Sequence, residues 1–432
     1  MNGPLNIAVA GLGTVGAGLI QLLNANGALA ARRCGREIAV TAVSARDRGR
    51  DRGVDISKFK WFDDPVQMAC EANADVVVEL IGGADGMARA VCDAAIGVGR
   101  HVVTANKALI ARHGTALAAA AEEAGVQLAY EAAVAGGIPV IKSLREGLAA
   151  NRIESLYGIL NGTCNYILSV MRDTGREFDD VLAEAQRLGY AEADPGFDVD
   201  GVDTAHKLAI LTSVAFGSAI DFDSVFVEGI RHVSAEDIRF ADELGYRIKL
   251  LGIARRTDHG VEQRVHPCMV ALDSPIAHVE GVNNAIVAQG DFVGSTVYEG
   301  RGAGAGPTAS AVAADLIDIA RGCSVPTFSV PASALEPADP ASMDRHVGAY
   351  YIRLMVVDRP GVFADVAAVL RDSEVSMEAI LQRARSPDEA VPVVMTTHDV
   401  EESAIRHALA RFAALETVVE QPRLIRIEPL AK

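Results

Sequence analysis

Short apolar runs separated by glycine-rich turns and helical stretches dominate the first 135 residues. Leu5 to Ala10 (LNIAVA), Glu37 to Val43, Ala74 to Leu80 (ADVVVEL), His101 to Thr104 and Gln127 to Val134 each read as a strand. The third is apolar almost throughout, as a strand covered on both faces must be. The first intervening helix runs from Thr14 to about Asn24. Strands alternating with helices predict an open parallel sheet. From Arg152 a second pattern begins, with IESLYGILNGTCNYIL as strand, turn and helix, and Val265 to Leu272 and Ala285 to Gln289 complete its sheet. Gly300 to Gly306 reads as a flexible turn, followed through Pro307 and Thr308 by the helix ASAVAADLIDIA. Pro326, Pro331, Pro337 and Pro340 mark a linker. Beyond it come a strand (AYYIRLMVV), the turn Asp358 to Gly361, a helix to Leu370, strands VSMEAILQR and VPVVMTTHD, a helix from Glu401 to Phe412 and the strand TVVEQPRLIRIEP. That βαββαβ order is ferredoxin-like, and the unit reads as self-contained.

Composition narrows the partners. At 432 residues, 50% hydrophobic and 22% charged, the chain is a folded protein of several domains. A formal net charge of -17 argues against nucleic acid or an anionic membrane and leaves small molecules as ligands. Six scattered cysteines, with no C-x-x-C pair, indicate neither a disulfide framework nor zinc and fit a cytoplasmic setting. The first 31 residues lack charged side chains, but Asn, Gln and Gly interrupt them and no basic residue precedes them, which argues against a signal peptide.

Candidate chemistry falls in two places. Gly11, Gly13, Thr14, Val15 and Gly16 form G-x-G-x-x-G between a strand and a helix, where backbone N–H groups and the helix dipole suit a pyrophosphate. This predicts a Rossmann-type nucleotide-binding domain. After the second strand Arg46, Arg48 and Arg50 stand where an NAD site would present an acid, which favours NADP, although Asp47 keeps NAD open. The second place is Ala185 to Lys207. Six carboxylates (Glu184, Glu192, Asp194, Asp198, Asp200 and Asp203) gather around one lysine, with Gly189, Pro195, Gly196 and Gly201 bending the backbone among them. The sequence then turns helical, so Asp203 and Lys207 share one face over Leu208, Leu211 and Val214. Such a pair is either a surface ion pair or, if desolvated, an acid and base for proton transfer.

The order A-x-x-x-G-Y-x-x-x-DP-x-x-D-V-x-G-x-D-x-x-x-K, from Ala185 to Lys207, resembles the signature run of the homoserine dehydrogenase family. The resemblance covers essentially the whole chain and implies interconversion of L-homoserine and L-aspartate 4-semialdehyde with NAD(P). It implies a catalytic pair at Asp203 and Lys207, and substrate binding by Glu192, Lys107, Asp198 and Thr163. Lys107, in T-A-N-K, also lines the cofactor site, and Gly189 and Gly304 join the cofactor residues. It implies a sodium ion held by Glu131 and the carbonyls of Val134, Gly136 and Ile138; from the residues alone, Glu131 could as easily cap a helix starting near Pro139. The helix after Gly304 should return to the nucleotide domain, which gives residues 1–135 with 302–325 as that domain, 136–301 as an α+β catalytic and dimerisation domain, 326–347 as linker and 348–432 as regulatory domain. The D-R-P-G-V turn at Asp358 is similar to an ACT domain, implying an amino-acid effector, threonine, and a homodimer or homotetramer. A rival reading, an aldehyde dehydrogenase with a thiol nucleophile, would rest on Cys164; another is a nucleotide and amino-acid sensor without activity.

Overall fold

The computed structural model describes residues 3–382 and 390–430. Strands β1 (Leu5–Ala10), β2 (Ile38–Ser44), β3 (Lys60–Phe62), β4 (Val76–Glu79), β5 (His101–Thr104) and β6 (Leu128–Ala129) form a parallel sheet in the order β3-β2-β1-β4-β5-β6. The four residues of β4, Glu79 included, are all buried, as expected of a strand covered on both faces. β6 is shorter than the predicted Gln127 to Val134, because from Glu131 the backbone coils into a 3-10 turn that carries a buried carboxylate. The helix Ala305–Arg321 packs beside the helix Thr14–Cys34 of this domain. The segment before it is less of a turn than predicted, since a strand reaches Arg301 and the helix starts at Ala305, ahead of Pro307.

The second sheet is built from β7 (Ile153–Ile159), β8 (Phe226–Val227), β9 (Tyr246–Thr257), β10 (Gly260–Ala271), β11 (Asn283–Gly290) and β12 (Gly294–Arg301). β8, β9 and β12 are absent from the sequence reading. The C-terminal unit adds β13 (Val347–Val357), β14 (Met377–Leu381), β15 (Ala390–Thr397), β16 (Val400–Glu401) and β17 (Arg423–Glu428), with helices Val362–Asp372 and Glu402–Ala413. The strand predicted over VSMEAILQR ends at Leu381, and its last residue, Arg383, lies outside the described residues. The order β17-β13-β15-β14 is the ferredoxin-like arrangement.

The two sheets are continuous. β17 runs parallel to β10, with Cys268 opposite Arg426 and Val270 opposite Glu428, so the path reads β12-β11-β7-β9-β10-β17-β13-β15-β14. The proline-rich segment between them is tied down: Phe328 is fully buried against Tyr130, whose hydroxyl donates to the Thr327 carbonyl at 2.7 Å. Among the described residues no helix is long and apolar enough to cross a membrane.

Candidate active site

The first loop of the nucleotide domain shows which glycines the fold needs and which it does not. A Cβ on Gly11 would lie 2.5 Å from the Leu80 carbonyl oxygen, and one on Gly16 would lie 2.1 Å from that of Gly11. Both positions are closed by the protein's own backbone. Gly13 has φ of -76° and open space around its missing Cβ, so nothing in the chain itself requires glycine there. It lines a cavity of about 500 Å³ with Gly11, Ser44, Arg46, Arg50 and Ile81 at the strand C-termini, where an open parallel sheet places its ligand. Thr14, exposed, and Val15 begin the helix. Of the neighbouring arginines, Arg52 donates to the carbonyls of Leu12 (3.1 Å), Arg50 (2.6 Å) and Asp47, tying the loop together. Arg48 lies over Trp61, 5.7 Å from its centroid.

The acidic run folds back beside this domain. The helix Phe178–Arg187 stops at Gly189, whose φ of 76° lets the N–H of Tyr190 reach the Ala185 carbonyl at 2.9 Å. Gly189 thus has a structural role, and neither it nor Gly304 lines the nucleotide cavity. Gly304 stands at the N-terminus of the helix Ala305–Arg321, in a loop closed over Gly136, where a Cβ would lie 2.5 Å from the Gly302 carbonyl. Gly201, at φ 87°, begins the helix Val202–Phe216. Every residue from Asp203 to Val214 is buried, so this helix is covered all round and not only along the predicted stripe.

Burial rules out a surface ion pair, because Asp203 and Lys207 are 3% and 8% exposed. The Lys207 ammonium donates to Asp203 Oδ2 and to the Leu160 carbonyl, both at 2.7 Å. Lys107, at the start of the helix that follows β5, places its Nζ 2.9 Å from Asp203 Oδ1. Asn161 caps the helix Gly162–Thr174 by accepting from the Cys164 N–H at 2.8 Å, and its amide donates to Asp203 at 2.9 Å and to Asp198 at 2.8 Å. Its bridging of the two acids escaped the sequence reading, which saw in LNGT only the turn between a strand and a helix. Burial would raise the Asp203 carboxyl, but Lys207 and Lys107 outweigh it and hold Asp203 well below the usual carboxylate range. Burial likewise opposes the charge of Lys107, and Asp203 more than compensates, keeping it above an ordinary lysine. Asp198 is pushed up by burial and by Asp203.

Glu192 is exposed on the loop, close enough to Lys107 to favour its charge. The Thr163 hydroxyl donates to the Tyr190 carbonyl at 2.8 Å, so it braces this loop from below. Cys164 is fully buried, its thiol pushed well up by burial and by Asp198. The site therefore offers no reactive thiolate for the rival chemistry.

A nucleotide cavity at the strand C-termini of a parallel sheet, with a desolvated lysine and carboxylate on the adjoining domain, is the arrangement of a nicotinamide-dependent dehydrogenase of the α/β class. Family models described as "Homoserine dehydrogenase, NAD binding domain", "Homoserine dehydrogenase" and "ACT domain" match residues 11–131, 139–317 and 350–417. The chain belongs to the homoserine dehydrogenase family. It is 50% identical over 438 residues to the homoserine dehydrogenase of Pseudomonas aeruginosa, covering 99% of each chain. It is 46% identical over 433 residues to that of Neisseria gonorrhoeae, again covering 99% of each. Among solved structures, a homoserine dehydrogenase from Thiobacillus denitrificans is similar with a TM-score of 0.93 at 46% identity over 99% of both chains. A hyperthermophilic archaeal homoserine dehydrogenase in complex with NADPH is similar with a TM-score of 0.64 at 27% identity, over 74% of this chain and 99% of that one. The activity is that of the family, the NAD(P)-linked interconversion of L-homoserine and L-aspartate 4-semialdehyde.

Proposed function

We propose that Lys207 is the proton donor to the substrate oxygen during aldehyde reduction and recovers the proton in the reverse direction. The observation that carries this is the ammonium's bonding. Its protons can serve three acceptors, of which Leu160 and Asp203 take two and leave one for substrate. The bound nicotinamide would supply or accept the hydride. Asp203, kept ionised, orients both lysines. Lys107 then meets the substrate from the nucleotide-domain side, while Glu192 and Asp198 receive the substrate ammonium. Homoserine-dependent formation of NADPH, followed at its absorbance with and without threonine, tests the reading as a whole. Inhibition by threonine would assign the ACT domain its effector, and no turnover with either nucleotide would refute the proposal.

NADP is the preferred nucleotide in this reading, since Arg46 and Arg50 line the cavity beyond β2. A relative's complex with NADPH points the same way. Arg46→Ala is expected to raise the KM for NADP by about tenfold, as loss of a charge-assisted contact worth about 1.4 kcal/mol would. The KM for NAD should hardly move; equal changes in both would overturn the role.

A sodium ion fits the turn after β6 on its donors. The Glu131 carboxylate already caps the helix from Val140, accepting from the N–H groups of Ile141 and Lys142 at 2.9 Å each, which is the capping alternative in place. Yet burial, and then Asp315 beside it, raise Glu131 from 4.5 to about 7, so a cation is electrostatically wanted there. With the carbonyls of Val134, Gly136 and Ile138 the donors would all be oxygen, which suits a hard cation. The sign of the pH dependence follows. A carboxyl raised in the fold stabilises below its ordinary pKa of 4.5 and loses that contribution as pH rises through about 7. Sodium should replace the lost contribution. The gain in Tm on exchanging choline chloride for sodium chloride should therefore be larger above pH 8 than at pH 6, and should vanish in Glu131→Gln. A gain independent of pH and of Glu131 would reject the site.

A further inference from the structure

The catalytic helix carries one more feature that the chemistry above does not use. His206, between Asp203 and Lys207 in sequence, is buried and stacked on Phe222, with centroids 4.3 Å apart and planes 10° apart. Its other face meets Phe197 at 5.6 Å and 28°. His206 Nδ1 lies 3.0 Å from the Val202 carbonyl oxygen, which fixes the ring on its own helix. Each end of this stack of three rings meets a cation, and both cations stand on one helix of the nucleotide domain, Lys107–Glu123. The Lys107 Nζ is 5.4 Å from the Phe197 centroid, and the Arg112 guanidinium carbon is 4.7 Å from that of Phe222. The rings belong to the catalytic domain, so the contact spans the cleft in which the reaction occurs.

Lys107 is the residue for which this matters. Its root lies at the end of β5 and its ammonium lies on Asp203, across the cleft. A four-carbon stem has much rotamer freedom to lose, and one ion pair restrains it in distance but not in direction. A ring face under the ammonium supplies the second restraint.

We propose that Phe197 is a positioning residue for homoserine turnover: held by His206 and Phe222, its ring fixes the Lys107 ammonium against Asp203 and so registers the nucleotide domain on the catalytic helix. The inference rests on the dehydrogenase reading given above. It concerns how well Lys107 meets substrate, and the wild-type enzyme measured alongside keeps the two separate, because absent wild-type turnover would refute the reading itself. Phe197→Leu keeps apolar bulk and removes the ring. The expected result is a fall in kcat/KM for homoserine of about 3- to 30-fold, the range of a partly desolvated cation–ring contact, with the NADPH dissociation constant and Tm unchanged. Phe197→Tyr should retain most of the wild-type value. In a Lys107→Met background, Phe197→Leu should cost nothing further, because the contact it removes is already gone. The proposal is overturned if Phe197→Leu is as active as wild type, if Phe197→Tyr loses as much as Phe197→Leu, or if the loss persists undiminished without Lys107.

Discussion

Lys207→Ala is expected to lower kcat by about 10²- to 10⁴-fold, the usual contribution of a positioned general acid, with the NADPH dissociation constant hardly changed. The variant should still fold. Removing one partner of a buried pair is normally costly because a charge is left alone. Here Asp203 retains Lys107 at 2.9 Å and the Asn161 amide at 2.9 Å, so it stays paired. What disappears is a group that touches Asp203 from its own helix and also reaches the Leu160 carbonyl. Lys107→Ala should behave differently, raising the KM for homoserine more than it lowers kcat, since that side chain approaches from the opposite domain. If the two variants exchange these signatures, Lys107 is the donor and Lys207 the positioning group. Near-normal turnover in Lys207→Ala would leave the pair a buried ion pair and nothing more. Assays are best run well above pH 4. Asp203 is depressed below its ordinary value of 3.8, so its stabilisation is complete above that value and is lost only as pH falls towards its lowered pKa.

The parts of this site legible in the sequence were those built on spacing within one element. Asp203 and Lys207 are four apart on a helix, and G-x-G-x-x-G sits between a strand and a helix; neither needs knowledge of distant contacts. The role of Asn161 depends on a residue 42 positions further along the chain returning to it, and one side chain that caps its own helix also bridges Asp198 and Asp203. Polar residues at strand positions hid other elements. β9 carries Lys249, which is 1% exposed and donates to the Asn165 side chain at 3.1 Å and the Val279 carbonyl at 2.7 Å. Burial lowers its pKa to about 8. A residue type that usually marks the solvent face here lies inside, so alternation along YRIKLLGIARRT gave no clear period. β12 was lost for the opposite reason. It is an edge strand, half exposed and glycine-flanked, and its end merged with the glycines of the following loop. The C-terminal βαββαβ order was readable because β13, β15 and the two helices are long and bury apolar residues, but its attachment to the rest of the chain was not. That attachment is made by the pairing of β17 with β10 and by buried charges, which pattern reading assigns to the surface.

Glu428→Ala should reveal how firmly that attachment holds. Arg264 in β10 is 1% exposed, and its guanidinium is paired with the Glu428 carboxylate from β17, with a second contact at 3.2 Å. Burial opposes the ionised carboxyl of Glu428, but Arg264 outweighs it and lowers its pKa. Two further crossings accompany this one: Arg426 of β17 donates to Glu228 at 2.9 Å, and Arg353 of β13 donates to Asp237 at 2.7 Å. Truncating Glu428 leaves Arg264 inside the sheet with Glu262 at 3.3 Å and His266 at 2.9 Å as its remaining neighbours. Because one anion is retained, the expected loss lies near the lower end for a broken buried pair, about 3 kcal/mol in urea unfolding. A surface pair would cost under about 1 kcal/mol. Removing the whole unit after Asp339 should be worse than this one change, since β10 would lose β17 as a neighbour and Arg264 would keep no partner from it. The junction is also the route that the proposed effector regulation would use. β9 lies between β7 and β10, and at Gly252 it sits so close to the catalytic helix that a Cβ would come within 3.2 Å of Thr204. Movement of β17 therefore has only two strands to cross before it reaches the residue beside Asp203. An effector coupling of about 1 to 3 kcal/mol could travel by that route, and Glu428→Ala should weaken it along with stability while leaving kcat without effector intact at temperatures well below Tm. A loss under about 1 kcal/mol would instead show that the C-terminal unit is a loosely tethered module.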